Sequence, residues 1–551
     1  MTVRDRHFQG ELHWISRALA GARGGTTDPD LDLLVEACAF LTGRVHARID
    51  DATAGLYQQI ANLTRPQLTR LVPPAVIVEL SPRPGARHVR LPAGCELDAP
   101  TTVGEPCRFR TSHDLAVLPL RVSAVDATDG HGDPTLHIQL TATAAGGLAL
   151  LADAGLRLFI AADPPLGPQL ALWALHHCTS TSLVVAGRTV QQLAPPTLAA
   201  APASSDDAAP GTQLLQSAWA LPQRLLFFEL TGFVRANLTS ADTCTLVLHC
   251  PDAPELPFRT CPEDLKVGCV PAVNLFEADA VPIRADLVTA VHALRVDGIR
   301  PRHAEIHDVL SVTGIPTGRG DKRRYVPAAT FLGQDGAAGC FSLARARSPD
   351  DGALDLELRI DAHDPPPREV LAARLLVSNR DLVADIEPGA PWTLRRGPDT
   401  LLARPVSRIS PPLRPPLGET FHARLAAHTA LDLTGLLSHD RLRNYLALYN
   451  FHPEDSLQGR RCTDQIAAIR SLAVTPSLHV TPHGTIRGAA VAVTLDERSF
   501  FNTGEAYLFA HVLRAILADA TPLNSVLEFS AHLTPSDGTL RWPTQLQTRR
   551  V

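Results

Sequence analysis

From Asp28 to Leu63 the chain reads DPDLDLLVEACAFLTGRVHARIDDATAGLYQQIANL. Apolar or small side chains recur at Leu31, Leu34, Cys38, Leu41, Val45, Ile49, Ala52, Leu56, Ile60 and Leu63. Steps of three and four average close to 3.6 residues, the period that brings side chains onto one stripe of a helix. Asp28 is placed to cap the N-terminus, and Pro29 suits the first helical turn, where its missing N–H costs nothing. Leu33, Ala37 and Phe40 widen the stripe in the first half, which therefore calls for cover from two sides. Unbroken, such an arm reaches about 50 Å, with Asp50-Asp51 and Gly55 as candidate kinks. A shorter helix, Arg4 to Ala20, is the nearest cover in sequence. A seam this long with so little local cover predicts docking against another chain; the competing expectation is a helical cap folded onto its own domain.

After Pro73-Pro74 the texture changes to short alternating runs: VPPAVIVEL, RHVRLPAGCEL, PCRFRTSHDLAVLPLRVSAVDA, PTLHIQLTATA and LRLFIAA. Period-two patterning between Pro and Gly turns predicts antiparallel β structure. Gln191 to Gln216, rich in Ala, Pro and Ser, reads as an exposed loop or linker. A second β region runs from RLLFFELTGF through ARLLVSNRD and closes with the proline-rich strap SRISPPLRPPLGE, 407–419. The last stretch alternates elements. Helices are expected at Ser438–Phe451, Thr463–Arg470 and Thr503–Ala520, with strands in LAVTPSLHV, GTIRGAAVAVTLDE and SVLEFSAHL. In the third helix Ala506, Phe509, Ala510, Leu513, Ile516 and Leu517 share one face, which reads as core against the neighbouring strands. The fold class is thus α+β and multidomain. Its expected parts are an N-terminal helical arm (1–74), two antiparallel β-rich domains (75–224 and 225–420) and a small C-terminal α+β domain of helix on antiparallel sheet (421–551).

Composition narrows the function classes. The 551 residues are 45% hydrophobic and 20% charged, ordinary for a globular chain, and no apolar run reaches the ~18 residues of a membrane span. The start, MTVRDRHFQGELHW, has no apolar signal core, so the chain is expected to stay in the cytoplasm. A net charge of −6 and a pI near 6.4 argue against nucleic acid as a partner. The most basic run, Arg319, Lys322, Arg323 and Arg324, reads as a solvated Gly-rich loop.

Little in the sequence suggests catalysis. It contains no Gly-x-Ser-x-Gly elbow, Walker loop or dinucleotide glycine fingerprint. The ten cysteines form no Cys-x-x-Cys pair, and the spacings among Cys244, Cys250, Cys261 and Cys269 match no common zinc site. His303 and His307 flank Glu305 at the wrong offset for a zinc helix, and AEIHDVLSV reads as a strand that would turn both histidines to one face. His176-His177-Cys178 lacks a further ligand at suitable spacing. No cofactor, metal or catalytic residue is assigned.

Several segments in order resemble the TssF family, baseplate subunits of the bacterial type VI secretion system. They are FQGEL, DPDLDLLVEACAFLTGRVHARIDD, LVPPAVIVEL, LPAGCEL…GEPCRFRTSHDLAVLPLRVSAV, LLFFELTGF, CVPAVNLFEADAVPIRAD, DVLSVTGI and AAVAVTLDERSFFNTGEAYLFAHVLRAIL. The Pro-Ala-Gly turn followed by Phe109 and Thr111 is similar to wedge proteins of contractile phage tails. The sequence departs from the family in its first turn, where RHF replaces an aromatic pair, and in 191–216.

The resemblance implies a structural job without turnover. Two copies of this chain would bind one TssG through a helical bundle. Such wedges, joined by TssK and TssE, would ring the VgrG spike hub at a baseplate docked on the inner-membrane complex, without inserting into the membrane. Leu31, Leu34, Leu41, Val45 and Leu56 are the candidate interface residues. Pro73-Pro74 and the strap are candidate hinges or domain boundaries. Two other readings stand beside this one. A wedge of a phage or extracellular injection particle would be separated by neighbouring genes. A β-rich hydrolase is disfavoured by five Tyr, five Trp and no evident acidic pair.

Overall fold

The computed structural model describes residues 6–20, 29–83, 88–128, 133–199, 210–286, 291–317, 321–328, 330, 337–347, 354–362, 368–395, 400–417, 421, 437–481, 484–522 and 525–546. It is a mixed α+β, multidomain architecture of several sheets with helices at its N-terminal end. Helix α1 is Arg6–Ala20, and helix α2 is Pro29–Thr64 without interruption, so neither Asp50-Asp51 nor Gly55 breaks it. Asp28, the expected cap, lies outside the described residues.

The sheets do not follow sequence order. A six-stranded sheet takes 393–394, 96–99, 107–111, 269–273, 75–82 and 401–405 in that spatial order. Its inward residues Val76, Val78, Leu97, Phe109 and Trp392 form a separate core, with the Phe109 and Trp392 rings 4.7 Å apart. A five-stranded sheet (188–193, 180–185, 243–249, 135–142, 120–128) and a four-stranded one (197–198, 227–230, 156–160, 265–267) also draw strands from both sides of residue 225. Strand 227–230 pairs with 156–160, so the division expected at 224/225 cuts through a shared sheet. Period-two patterning identifies strands but carries no information on which distant strands pair.

Between Phe276 and Ser378 an eight-stranded sheet has a core of its own, built on Leu358, Leu371, Leu375, Val377 and Tyr325. Arg323 and Arg324, expected in a loop, begin strand Arg323–Pro327; Arg319 lies outside the described residues.

The largest core joins the middle of the chain to its end. Helix Pro210–Ala220 rests on helix Thr503–Ala520, and the Gly211 N–H donates to Asp519 at 2.7 Å. That helix, with strands Arg188–Leu193 and Thr197–Leu198, replaces much of the loop expected at 191–216; residues 200–209 lie outside the description. Leu214 and Leu215 supply apolar contacts that composition alone had masked.

The C-terminal sheet is mixed, not antiparallel as expected. Strand Gly484–Asp496 pairs antiparallel with Ile469–Thr481 but parallel with Val526–Thr534. The physical reason is the crossover: helix Thr503–Ala520 returns the chain to the starting end, so the next strand runs the same way. That helix matches its expected bounds, whereas those expected at Ser438–Phe451 and Thr463–Arg470 run from His439 to Leu448 and from Leu457 to Ala467.

Candidate partner interface on the helical arm

Helix α2, 36 residues long, spans about 54 Å at 1.5 Å per residue. In its first half the buried positions are Val35, Ala39 and Gly43, four apart on one face. Helix α1 covers this face with half-buried Phe8, Leu12, Ile15 and Leu19, and His46 Nδ1 lies 2.8 Å from Glu11. Ala39 and Gly43 are small enough to let the two backbones approach. This covered face is not the stripe that spacing singled out.

The singled-out stripe faces outward. Leu34, Leu41, Val45 and Leu56 are 62, 63, 56 and 55% exposed. Leu31 has its backbone in α2, but its side chain lies outside the described residues, as do those of residues 47–55. Leu33 and Phe40 are exposed on the other flank of the buried face, and Trp14 of α1, which spacing did not single out, is exposed as well. At 100° per residue Leu33 and Phe40 lie roughly 100–120° to one side of Ala39, and Leu34, Leu41 and Val45 roughly 120–160° to the other. Large aliphatic side chains thus flank α2 on both sides of its contact with α1.

The second half of α2 is held firmly. Ala61 joins the largest core, and Arg65 sits over the Tyr445 ring at 5.5 Å. The Gln58 amide donates to the Arg345 carbonyl at 3.1 Å and accepts from the Arg345 N–H at 2.8 Å, and Asn62 donates to the Leu343 carbonyl at 2.8 Å. Beyond the helix, Arg70 pairs with Asp308 at 2.7 Å. The expected hinges are tied to one another and to the first strand. Val72 and Leu413 exchange backbone hydrogen bonds at 2.7 and 3.0 Å, and the strap's Ser410 and Ser407 hydroxyls accept from the Ala75 and Ile77 N–H groups. Arg414 grips Glu305 through both carboxylate oxygens at 2.6–3.0 Å. The base of the arm is therefore a clamp.

The clusters flagged for chemistry have structural surroundings. His303 lies in the short turn Pro301–His303 and meets Glu105 at 2.8 Å, while His307 is on strand Glu305–Pro316. The two do not share a strand face as expected, because the strand starts only at Glu305. Burial, with Arg70, Arg345 and Arg110 nearby, pushes the His307 pKa down to about 3. His176 and His177 belong to Trp173–His177, with His176 against Tyr507; burial holds the His176 pKa near 4. Burial pushes the Cys107, Cys244 and Cys462 thiols up to about 12, which disfavours the thiolate a metal would need. Among the described residues no group of His, Cys, Asp or Glu is arranged to hold a metal ion, and no helix is long and apolar enough to cross a membrane.

The chain is similar to known proteins over nearly its whole length. The model of the family "Type VI secretion system, TssF" matches residues 8–549. The type VI secretion system component TssF1 of Pseudomonas aeruginosa is 24% identical over 604 aligned positions, covering 98% of this chain and 96% of that protein. A chain of the type VI secretion TssK-TssF-TssG baseplate subcomplex, determined by cryo-electron microscopy, superposes with a TM-score of 0.78 at 24% identity. It covers 95% of this chain and 99% of that one. A chain of another type VI baseplate complex gives 0.59 at 18% identity, with 99% of each chain covered. Both likenesses concern the fold. With a family match over nearly its whole length, the chain belongs to the TssF family of the type VI secretion system.

Proposed function

We propose that this chain is a wedge component of a type VI secretion baseplate, and that its N-terminal arm is the part that joins it to other subunits. The observation that carries this reading is the apolar surface left on α2 after α1 has packed: Leu34, Leu41, Val45 and Leu56 on one flank, Leu33 and Phe40 on the other. Scattered exposed apolar residues are normal on a protein, but a row of leucines along a helix is an unfilled packing surface. Two flanks separated by α1 accept two further helices, which gives a bundle of about four.

A TssG chain and a second copy of this chain are the occupants we assign, two copies of this chain per TssG. The subcomplex that this fold resembles holds TssK and TssG beside a TssF. TssK, TssE and the spike hub would then be neighbours in the assembled ring, which sits on the cytoplasmic side of the inner-membrane complex and releases the sheath for contraction. The chain contributes binding surfaces to this process and no chemical step.

The test is co-expression with a TssG chain of a type VI secretion system. Leu34→Asp with Leu41→Asp places two charges in the bundle and is expected to abolish co-purification while the circular dichroism and melting of the chain itself stay near wild type. Undiminished co-purification of the double variant would overturn the reading.

A further inference from the structure

Strand Arg323–Pro327 is short. It pairs with Val312–Gly314 on one side and Gly339–Phe341 on the other, and it ends at a proline. Past that end, strand Glu305–Pro316 continues back to Glu305 and strand Gly339–Arg347 continues forward to Arg347, leaving a slot one strand wide between them. The arm fills it. Gln58 meets Arg345 through both the nitrogen and the oxygen of its side-chain amide, as a neighbouring peptide would, and Asn62 meets Leu343, two residues away. Two residues is the interval at which a strand turns hydrogen-bonding groups to the same edge. Across the slot the buried Arg345 guanidinium donates to the Ile306 and His307 carbonyls at 3.0 and 2.8 Å.

We propose that Gln58 and Asn62 are a polar latch that stands in for the missing strand and sets the direction of the arm against the eight-stranded sheet. The anchor lies beyond it, at Leu68 and Leu71, which are buried. Between latch and anchor the helix stops: Arg65, with φ −150° and ψ 67°, is not helical. The contacts of the latch are hydrogen bonds that water can replace, whereas those of the anchor are apolar and cannot be exchanged in that way. Ala61, between the two latch residues, and half-buried Tyr57 keep apolar contacts with the largest core. Releasing the latch leaves these as the hold above the bend, and the arm pivots at Arg65 while its base stays fixed. Partner helices bound along the arm would then hold a wedge whose internal angle this latch defines.

The experiment uses the full-length chain carrying Gln58→Leu and Asn62→Leu, which keep helix-forming side chains of similar size but remove the hydrogen bonds. Hydrogen exchange read by mass spectrometry is expected to quicken about tenfold or more across 342–347 and 305–311, with 339–341 and 526–534 unchanged. Small-angle scattering is expected to show a changed largest dimension as the arm leaves its place. Should the double variant fail to fold, Gln58→Glu keeps the acceptor for the Arg345 N–H and loses the donor, and a smaller acceleration is expected at the same segment. Wild-type exchange at 342–347 overturns the latch, and unaltered scattering beside faster exchange overturns the pivot.

Discussion

Helix α2 and helix Thr503–Ala520 present the same kind of sequence signal, long runs of apolar residues at helical spacing, and opposite environments. In the C-terminal helix Ala506, Phe509, Leu513, Ile516 and Leu517 are buried, between helices 166–172 and 210–220 and the mixed sheet. In α2 the described residues of the first half bury only Val35, Ala39 and Gly43, while leucines on either side face outward. The difference lies in supply. The C-terminal helix finds cover within the chain, some of it from residues about 300 positions earlier, whereas the first half of the arm has, among the described residues, only α1. Apolar periodicity measures how much a helix needs to bury, and says nothing of where the cover comes from.

The sharpest contrast follows from placing the same charge in both helices. Leu513 is fully buried in the largest core, and Leu513→Asp is expected to leave no soluble folded protein. The milder Leu513→Ala is expected to cost about 2–5 kcal/mol, read by denaturant titration. The fit around this helix gives the next largest effect. A Cβ on Gly211 would lie 2.4–2.5 Å from the backbone of Ala515 and Ile516. Gly211→Ala should raise helix propensity by about 1 kcal/mol yet destabilise on balance, because overpacking against backbone costs about 1–3 kcal/mol or more. A rise in melting temperature would mean that the two helices can separate without loss.

Acid provides a third probe. Burial lowers the pKa of His113 and His307 to about 3 and of His176 and His511 to about 4, and none of the four is in the arm. A base whose folded pKa is depressed takes up its proton in the unfolded chain first. Its contribution is therefore complete above the unfolded value near 6.5 and is lost as pH falls from there towards 4 and 3. Unfolding free energy should drop between pH 7.5 and 5.5 by up to about 1.4 kcal/mol for each histidine. Replacing His511 by Gln is expected to flatten that slope, whereas substitutions in the first half of α2 leave it unchanged.

The smallest effect on stability is expected in the arm itself. Leu34→Asp and Leu41→Asp remove side chains that are already mostly in water, so each should shift the stability of the isolated chain by no more than about 0.5 kcal/mol.

What could be read from the sequence divides along similar lines. The bounds of Thr503–Ala520, the length of α2 and the strand-rich middle follow from local patterning, because each is a property of neighbouring residues. The pairing of 269–273 with 75–82, the helix at 210–220 and the parallel step in the last sheet depend on contacts across long separations, which periodicity does not encode. In the arm the spacing found the outward stripe but passed over the inward one, since Ala39 and Gly43 are small and carry little hydrophobic signal. Gln58 and Asn62 read as ordinary polar positions on a helix; only the slot they fill gives them a role.

The most direct test of the arm as an interface is the paired measurement of binding and stability on the Leu34→Asp, Leu41→Asp chain. Loss of TssG capture with an unchanged melting curve is the expected result. A double variant that still captures TssG, or one that melts far below wild type because those leucines were holding the chain's own fold together, would contradict it.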